Sequence, residues 1–264
     1  KGLLIQIMRP DAVTVKLHIE GRKTAVNMEK VDEAGFFAAL VSSKKKLSYT
    51  YSVEKVNGEV TEYTDPYAFA NVTKPEDYKA FLAGEEKNAA HIFGAHERTV
   101  NGVKGVLFNV WAPKALSVSV VGEFNKYDGR VHLMERIEDT GVFELFIPGL
   151  AAGCGYMYEI KRQGKGTTRK LDPVSRQISS VPIIASVVSD ENMPDSYAWN
   201  DGLWMIKRKK EAGKKKPVTV YEVSLTDWLK EKSADELVDF VKQEGYTHVC
   251  FLPVAEYLNE EMNG

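Results

Sequence analysis

Apolar and polar residues alternate along most of the first two hundred positions. Residues 13–19 read VTVKLHI and residues 116–120 read LSVSV, so every second side chain is apolar. A period of two predicts β-strands that bury one face. Turn pairs such as Asn57-Gly58 and Asp128-Gly129 recur between these stretches. This spacing favours antiparallel β-sandwiches over strand-helix-strand units.

An internal repeat lies inside this β-rich region. Five landmarks recur in the same order, each with an offset between 103 and 107 residues. They are Pro10–Val15 and Pro113–Val118, Met28 and Met134, Gly35–Phe37 and Gly141–Phe143, Tyr49-Thr50-Tyr51 and Tyr156-Met157-Tyr158, and Asp65-Pro66 and Asp172-Pro173. The repeat predicts two copies of one sandwich of about a hundred residues each. A coincidence between two unrelated β-domains is the alternative.

Two further segments flank the second copy. Residues 75–95 predict a short amphipathic helix that links the two sandwiches. Residues 207–216 hold seven lysines and arginines, and such a run invites a nucleic-acid interpretation. No aromatic residue is interleaved in the run for base stacking, which favours a solvated helix end and linker.

The pattern changes again near residue 218. A β-rich run at 218–223 precedes Ser233-Ala234-Asp235-Glu236, which predicts a capping box at a helix start. Gly245 is well placed to end that helix, and residues 247–252 form the next apolar run. Strand, helix and strand in about 35 residues predict a βαβ unit with parallel strands. A complete (β/α)₈ barrel takes about 250 residues, so we expect only the opening of such a barrel here.

Composition excludes several classes of protein. The 264 residues are 44% hydrophobic and 27% charged, with a net charge of −2, which argues against disorder and against bulk binding to nucleic acid or anionic membranes. No run approaches the roughly 18 apolar residues of a membrane span. Cys154 and Cys250 are expected to be free thiols in a reducing compartment. His and Cys show no metal-ligand spacing, so no metal site and no cofactor is predicted.

Several stretches are similar to a known family. They read GAH at 94–96, GVLFNVWAP at 105–113, SVSVVGEFN at 117–125, FELFIPG at 143–149, YAWND at 197–201, YEV at 221–223 and YTHV at 246–249. On these motifs the chain resembles the N-terminal portion of the bacterial 1,4-α-glucan (glycogen) branching enzymes. These are glycoside hydrolase family 13 relatives that carry a family 48 carbohydrate-binding module.

The resemblance implies a mostly β architecture. We expect two immunoglobulin-like β-sandwiches in tandem, followed by the first βαβ unit of an incomplete (β/α)₈ barrel. The predicted divisions are an N-terminal sandwich at 1–74, a helical linker at 75–95, a sandwich of the carbohydrate-binding family 48 type at 96–205, a basic linker at 206–217 and the truncated barrel start at 218–264.

The resemblance also implies an activity for the parent protein. The family cuts an α-1,4-glucan and reattaches the piece through an α-1,6 bond, by a retaining mechanism that uses an Asp nucleophile and a Glu acid/base. Both carboxylates belong to later barrel strands, so no catalytic residue is assigned here and the fragment alone is predicted to be inactive. Ser224, Tyr257 and Asn263 depart from the family pattern, which leaves a divergent or inactive paralogue open.

A glucan-binding site is expected in the turn after the GEFN stretch. Modules of this type carry a Trp there to stack on a sugar ring; Tyr127 takes that position, with Asn125 and Lys126 beside it. A second stacking Trp is replaced by residues 168–170, which read TRK. The alternative for Tyr127 is an aromatic residue that caps the core edge.

The predicted function is therefore glucan positioning in glycogen biosynthesis, in the cytoplasm, with no nucleic-acid or membrane partner. The expected partners are α-1,4-glucan, such as glycogen or amylopectin-like chains, and the remainder of the catalytic barrel. The alternative is a non-catalytic α-glucan-binding or scaffold protein derived from the same family.

Overall fold

The computed structural model describes residues 2–43, 45, 47–179, 183–190, 199–214 and 216–252. The chain divides into two compact units, Lys1–Asn192 and Met193–Gly264. Among the described residues, the sheets of the first unit are antiparallel, whereas the second unit holds a parallel strand pair with helices. The mostly β fold with several antiparallel sheets is thereby confirmed.

The first half of the first unit contains two sheets. Its strands are β1 (Leu3–Met8), β2 (Ala12–Ile19), β3 (Val26–Asn27), β4 (Glu29–Asp32), β5 (Phe36–Val41), β6 (Tyr49–Lys55) and β7 (Val60–Thr64). One sheet has the order β1-β5-β4 and the other the order β3-β2-β6-β7. The buried residues of β2, such as Val15 and Leu17, form one core with Phe37 from β5. Two sheets that share one apolar core are the arrangement that the alternating pattern requires.

The second half repeats this plan, with nine strands among the described residues. They are β8 (Gly94–Val100), β9 (Val103–Trp111), β10 (Ser117–Gly122), β11 (Glu135–Ile137), β12 (Val142–Pro148), β13 (Gly155–Lys161), β14 (Thr167–Lys170), β15 (Ile178–Ser179) and β16 (Ala185–Val187). One sheet has the order β11-β12-β9-β8, and the other has the order β10-β13-β16-β15 with β14 also paired to β13. Phe108, Val120 and Tyr158 lie in the core between them.

The landmarks of the internal repeat occupy equivalent places in the two halves. Met28 donates its backbone N–H to the carbonyl of Val15, as Met134 does to that of Val118. The Gly-aromatic steps also match: Gly35 lies at a positive φ of 95° and Gly141 at 75°. A Cβ on Gly35 would lie 2.5 Å from Cα of Pro10, and a Cβ on Gly141 would lie 2.8 Å from Cβ of Pro113. The repeat is therefore confirmed at the level of backbone contacts, because each glycine packs on its own copy of the same proline.

A carboxylate closes each half in the same way. The hydroxyls of Tyr49 and Tyr51 donate to Oδ2 of Asp65, at 2.7 and 2.9 Å. In the second half the hydroxyls of Tyr156 and Tyr158 donate to Oδ2 of Asp172, at 2.6 and 3.3 Å. The other oxygen of each carboxylate accepts a backbone N–H two residues later. Asp-Pro is thus more than a turn signal, because its carboxylate satisfies the hydroxyls of a buried Tyr-x-Tyr strand.

The segment between the two halves is less regular than a single helix. A 3₁₀ turn at Pro75–Tyr78 leads into the one-turn helix α1 (Lys79–Leu82), and a second 3₁₀ turn spans Ala89–His91. Tyr78 is fully buried and stacks on Phe93, with ring centroids 5.7 Å apart. Strand β8 begins at Gly94, inside the predicted linker 75–95.

A buried glutamate also holds this segment. Glu144 on β12 is 2% exposed. It accepts the backbone N–H of Val72 at 2.6 Å and that of Thr73 at 3.2 Å, and the Thr73 hydroxyl also donates to it. A buried carboxylate needs such donors to offset the loss of water. The linker is therefore anchored to the second half before its first helical turn.

The second unit contains the predicted strand-helix-strand element. It holds α2 (Gly202–Glu211), β17 (Val220–Val223), α3 (Leu225–Trp228), α4 (Ala234–Gln243) and β18 (His248–Phe251). Strands β17 and β18 are parallel. Ser233 and Glu236 form the predicted capping box, and Gly245 follows α4 at a φ of 76°. Residues 253–264, which include Tyr257 and Asn263, lie outside the described residues.

The basic run begins in a helix end, and its remaining described residues, 212–214 and 216, follow that helix. Helix α2 crosses the boundary predicted between residues 205 and 206, and its last turn holds Arg208, Lys209 and Lys210. The Arg208 guanidinium lies 5.3 Å from the ring centroid of Trp204, and Lys216 pairs with Glu211 at 3.0 Å. Cations at both ends of the run are thus engaged with neighbouring side chains of the same segment.

Candidate functional site

The turn that carries Tyr127 is strained and tightly held. A 3₁₀ turn at Glu123–Asn125 follows β10, and then Lys126 and Tyr127 both adopt left-handed backbone conformations, with φ of 54° and 59°. Two consecutive non-glycine residues in this region cost on the order of 1–3 kcal/mol each. Such strain persists only where the surrounding structure enforces it, and it is common at binding sites.

The Asn125 side chain holds the turn in this strained conformation. The side chain is buried, with Oδ1 accepting the N–H of Gly122 at 3.0 Å and Nδ2 donating to the carbonyl of Val120 at 2.9 Å. Nδ2 also lies 2.9 Å from Nδ1 of His132. All of the amide's hydrogen bonds therefore go to the turn itself. Asn125 therefore shapes the turn, and both N–H groups of its amide are engaged within the protein.

His132 is the buried partner, and no sequence pattern singled it out. Since Oδ1 of Asn125 is committed to an N–H, the amide nitrogen donates to Nδ1 of His132, which leaves the imidazole proton on Nε2. Burial, with the nearby Arg9 cation, lowers the pKa of His132 from 6.5 to about 4. The imidazole is neutral at physiological pH and can accept this hydrogen bond.

Tyr127 is half-buried and has a cationic neighbour. The Arg169 guanidinium lies 5.8 Å from the Tyr127 ring centroid, and its Nη2 donates to the Tyr127 carbonyl at 2.8 Å. Nε of Arg169 donates to Glu159 at 3.1 Å across the β13–β14 pair. The segment 168–170, where the resemblance led us to expect a second stacking Trp, thus places the Arg169 guanidinium beside Tyr127. The arrangement combines an aromatic face with fixed hydrogen-bond donors, which suits a polyhydroxylated ring.

Lys126 is engaged on a different side of the turn. Its side chain is largely exposed, and its ammonium lies 3.7 Å from Asp11 near the start of β2. Asp128, next in the turn after Tyr127, binds Arg130 through paired contacts of 2.6 to 3.2 Å. Ion pairs therefore flank the turn on both sides. Of the three predicted site residues, only Tyr127 has an aromatic ring that could stack on a ligand.

Three tryptophan side chains, Trp111, Trp199 and Trp204, lie in different surroundings. Trp111 donates Nε1 to the carbonyl of Thr140 at 3.2 Å and lies edge-on to Phe81. Trp199 and Trp204, in the second unit, are both mostly exposed. In the part of the chain that the structure describes, no group of three or more His, Cys, Asp or Glu could hold a metal ion. No helix among the described residues is long and apolar enough to cross a membrane.

Two protein-family matches fall separately in the two halves of the first unit. Residues 1–67 match the N-terminal domain of the alpha-1,4-glucan branching enzyme GlgB. Residues 92–175 match carbohydrate-binding module 48, the isoamylase N-terminal domain. The second match spans β9, β10 and the whole turn around Tyr127.

Full-length relatives extend the agreement to nearly the whole chain. The chain is 36% identical to the 1,4-alpha-glucan branching enzyme GlgB of Methylococcus capsulatus, over 96% of its own length and 35% of that protein. It is also 36% identical to the GlgB of Saccharophagus degradans, over 97% of its length and 36% of that protein. The chain is therefore similar in sequence to the branching enzymes. It is the counterpart of the N-terminal region of these enzymes and spans about a third of their length.

A solved structure also aligns with the chain. The pullulanase complexed with maltotetraose from Anoxybacillus sp. LM18-11 is 18% identical, with a TM-score of 0.41, over 96% of this chain and 37% of that one. The family resemblance seen in the sequence motifs is confirmed by the family and relative matches alone.

Proposed function

We propose that this chain is the glucan-positioning N-terminal region of a 1,4-α-glucan branching enzyme, which transfers α-1,4-linked segments to α-1,6 branch points in glycogen biosynthesis. The observation that carries the proposal is the position of Tyr127. It lies inside the carbohydrate-binding module match, on a turn whose two left-handed residues are enforced by Asn125. A partly exposed ring on an enforced, strained turn is expected at a ligand site.

Binding at this site would rest on stacking. One face of a glucose ring would lie against the Tyr127 ring, while the Arg169 guanidinium donates to neighbouring hydroxyls. Glu159 holds that guanidinium through its Nε, so its donors are already oriented. A tyrosine offers less stacking area than a tryptophan, so we expect modest affinity per site. Long glucan chains would be retained through repeated weak contacts.

The remaining parts of the proposal concern the parent protein. Residues 218–264 would open its catalytic (β/α)₈ barrel, because β17 and β18 form a parallel pair joined through α4. We also propose that both sandwiches are immunoglobulin-like, as expected from the sequence. The nucleophile and the acid/base would belong to later barrel strands, so this region alone would show no turnover. Cytoplasmic location is supported by the two free cysteines.

Affinity electrophoresis in glycogen- and amylopectin-loaded gels tests the proposal. We expect the glucan to retard the protein, and we expect Tyr127→Ala to lose at least part of that retardation because the stacking face is gone. Tyr127→Trp should increase the retardation, since the indole offers more area. Leu116→Ala is the matched control, because Leu116 is an exposed apolar side chain of the same sandwich.

Two results would overturn the assignment. Equal retardation of the wild type, Tyr127→Ala and Tyr127→Trp would show that Tyr127 does not contact glucan. An absence of retardation for every variant would favour the alternative, a family-derived scaffold without glucan contact in this region. Thermal unfolding of each variant separates loss of binding from loss of fold.

A further inference from the structure

A cavity of about 570 Å³ lies between the two halves of the first unit. Its walls come from β1 and the Asp65–Tyr67 corner on one side, and from the 130–133 loop and the Ile147–Leu150 segment on the other. Proteins use cavities of this size to bind small molecules. Neither the turn around Tyr127 nor the family motifs account for it.

One wall of the cavity is a fixed, exposed aromatic ring. Tyr67 is 51% exposed, yet its hydroxyl donates to the carbonyl of Leu133 at 3.0 Å. Its backbone N–H donates to the Asp65 carboxylate at 2.9 Å. Both ends of the residue are therefore held while its face stays open. A ring held in this way is already ordered, so a ligand that stacks on it loses little additional conformational entropy.

Another part of the lining is a guanidinium with unused hydrogen-bonding capacity. Arg9 is 6% exposed and lines the cavity. It lies 3.9 Å from the Tyr63 ring centroid, and its Nε lies 3.6 Å from the Asp11 carboxylate, too far for a hydrogen bond. Nε of Arg9 has no hydrogen-bond partner within the described part of the chain. A buried donor without an acceptor is costly, and Arg9 carries one in the wall of this cavity.

The cavity continues toward the turn already described. Arg9, Tyr63, Phe124 and Val131 line both this cavity and a smaller one of about 200 Å³. Lys126 and Asp128, which flank Tyr127 in sequence, line the smaller one. The two cavities are therefore neighbours that share these four residues as a wall, and the smaller one borders the Tyr127 turn.

We infer that the cavity between the two sandwiches is a second saccharide site, which takes a short neutral α-1,4-glucan segment stacked on Tyr67 and hydrogen-bonded by Arg9. The inference rests on the proposed function for the class of ligand. A neutral sugar suits the walls because they are mostly apolar and carry charges of both signs. Asp65 is occupied by two tyrosine hydroxyls, Arg130 is paired with Asp128, and Glu62 and Lys104 add one charge of each sign to the lining. A glucan that spans both sites would bind more tightly than at either site alone.

The test uses maltotetraose as the probe and the Met8 methyl group as the local reporter, because Met8 lines the cavity. The protein is labelled with ¹³C-methyl methionine and the Met8 signal is assigned with Met8→Leu. In Tyr127→Ala, which removes the first site, we expect maltotetraose to shift the Met8 signal saturably. Adding Tyr67→Ala should weaken that response at least tenfold. Tyr67→Phe, which keeps the ring, should retain it.

Leu133→Trp provides an independent arm. Leu133 lines the cavity and is exposed, so an indole there should fill the space while Tyr67 stays in place. We expect it to abolish the Met8 shift without lowering the unfolding temperature, even if Tyr67→Ala proves too unstable to study. No saturable Met8 shift in Tyr127→Ala, or an unchanged shift in Leu133→Trp, overturns the inference. Inorganic phosphate that shifts Met8 where maltotetraose does not also overturns it.

The two proposals fail separately. If Tyr127→Ala abolishes retardation in glycogen gels and Met8 never responds, the turn site stands and the cavity site is wrong. If Tyr127→Ala leaves gel retardation intact while Tyr67→Ala removes it, the cavity site stands and the turn assignment is wrong.

Discussion

The Tyr51 hydroxyl donates to the Asp65 carboxylate at 2.9 Å, and Tyr158 makes the corresponding hydrogen bond to Asp172 in the second sandwich. Both tyrosines are almost completely buried. Desolvation raises the pKa of Asp172, and burial together with the Asp172 charge raises the pKa of the Tyr158 hydroxyl. Each sandwich therefore depends on one carboxylate to satisfy two tyrosine hydroxyls in its interior.

Removing this carboxylate should destabilise the sandwich that contains it. In Asp172→Ala the Tyr156 and Tyr158 hydroxyls lose their shared acceptor, and each buried unsatisfied group costs about 1–3 kcal/mol. We expect a loss of about 3 kcal/mol in the free energy of unfolding, measured by urea denaturation. Tyr158→Phe should cost only about 1 kcal/mol, because it removes the hydroxyl itself and so leaves no buried donor without an acceptor. A loss no greater than that of the exposed control Asp139→Ala would contradict this account.

The glycine-proline contact of the repeat leads to a second prediction. Gly141→Ala forces a Cβ to within 2.8 Å of Pro113 at a φ of 75°, so strain and a clash add together. We expect a loss of about 2–3 kcal/mol in the free energy of unfolding. Gly149 has a similar φ of 79°, and a Cβ there would meet nothing within 4 Å, so Gly149→Ala should cost only about 1 kcal/mol. Equal costs at the two positions would rule out the clash.

The Glu144 side chain should hold Val72 and Thr73, just before the linker, in place. Glu144→Gln replaces one carboxylate oxygen by an NH₂ group, which accepts no hydrogen bond, so either Val72 or Thr73 loses its acceptor. We expect a loss of about 2 kcal/mol, since hydrogen bonds to charged groups contribute about 1.5–3 kcal/mol. Hydrogen exchange should speed up specifically at the Val72 and Thr73 amides. Glu135→Gln, on the neighbouring strand directly opposite Glu144, is the control and should leave these amides protected.

The buried His132 predicts a loss of stability in mild acid. Its pKa is about 4 in the folded protein and 6.5 as the ordinary value, so the unfolded chain binds an extra proton between these pH values. Its contribution is complete above pH 6.5 and is lost as the pH falls toward 4. We expect the free energy of unfolding to fall by about 2 kcal/mol between about pH 7 and pH 5 from this group.

His132→Gln isolates the effect, because glutamine accepts the Asn125 hydrogen bond but does not titrate. The variant should lose less stability than the wild type over the same pH range. Parallel pH dependence in the two proteins would show that other groups govern acid unfolding. Since His132 holds the amide that shapes the Tyr127 turn, retardation in glycogen gels should weaken over that range as well.

Elements were predicted well from the sequence wherever the signal was local. Period-two alternation identified β2 and β10, and Ser233 with Glu236 identified the start of α4, because both patterns arise between near neighbours in the chain. The linker was predicted less well: residues 75–95 suggested one helix, whereas the structure has two 3₁₀ turns and the one-turn helix α1, with Tyr78 buried. The chain just before it is held by Glu144, through contacts to Val72 and Thr73. These contacts join residues more than seventy positions apart, and no local pattern reports them.

Residue types at regular or matching positions were enough to establish the alternation of the strands, the two-copy plan and the family. Which residues of the Tyr127 turn can meet a ligand became clear only once the chain was folded. Asn125 is turned inward by His132, and Arg169 is brought beside Tyr127 from another strand. The cavity between Tyr67 and Arg9 was equally hidden, because its walls come from two separate sandwiches. Residues that are distant in the chain come together there only when the two sandwiches pack. Such contacts produce no periodic pattern in the sequence.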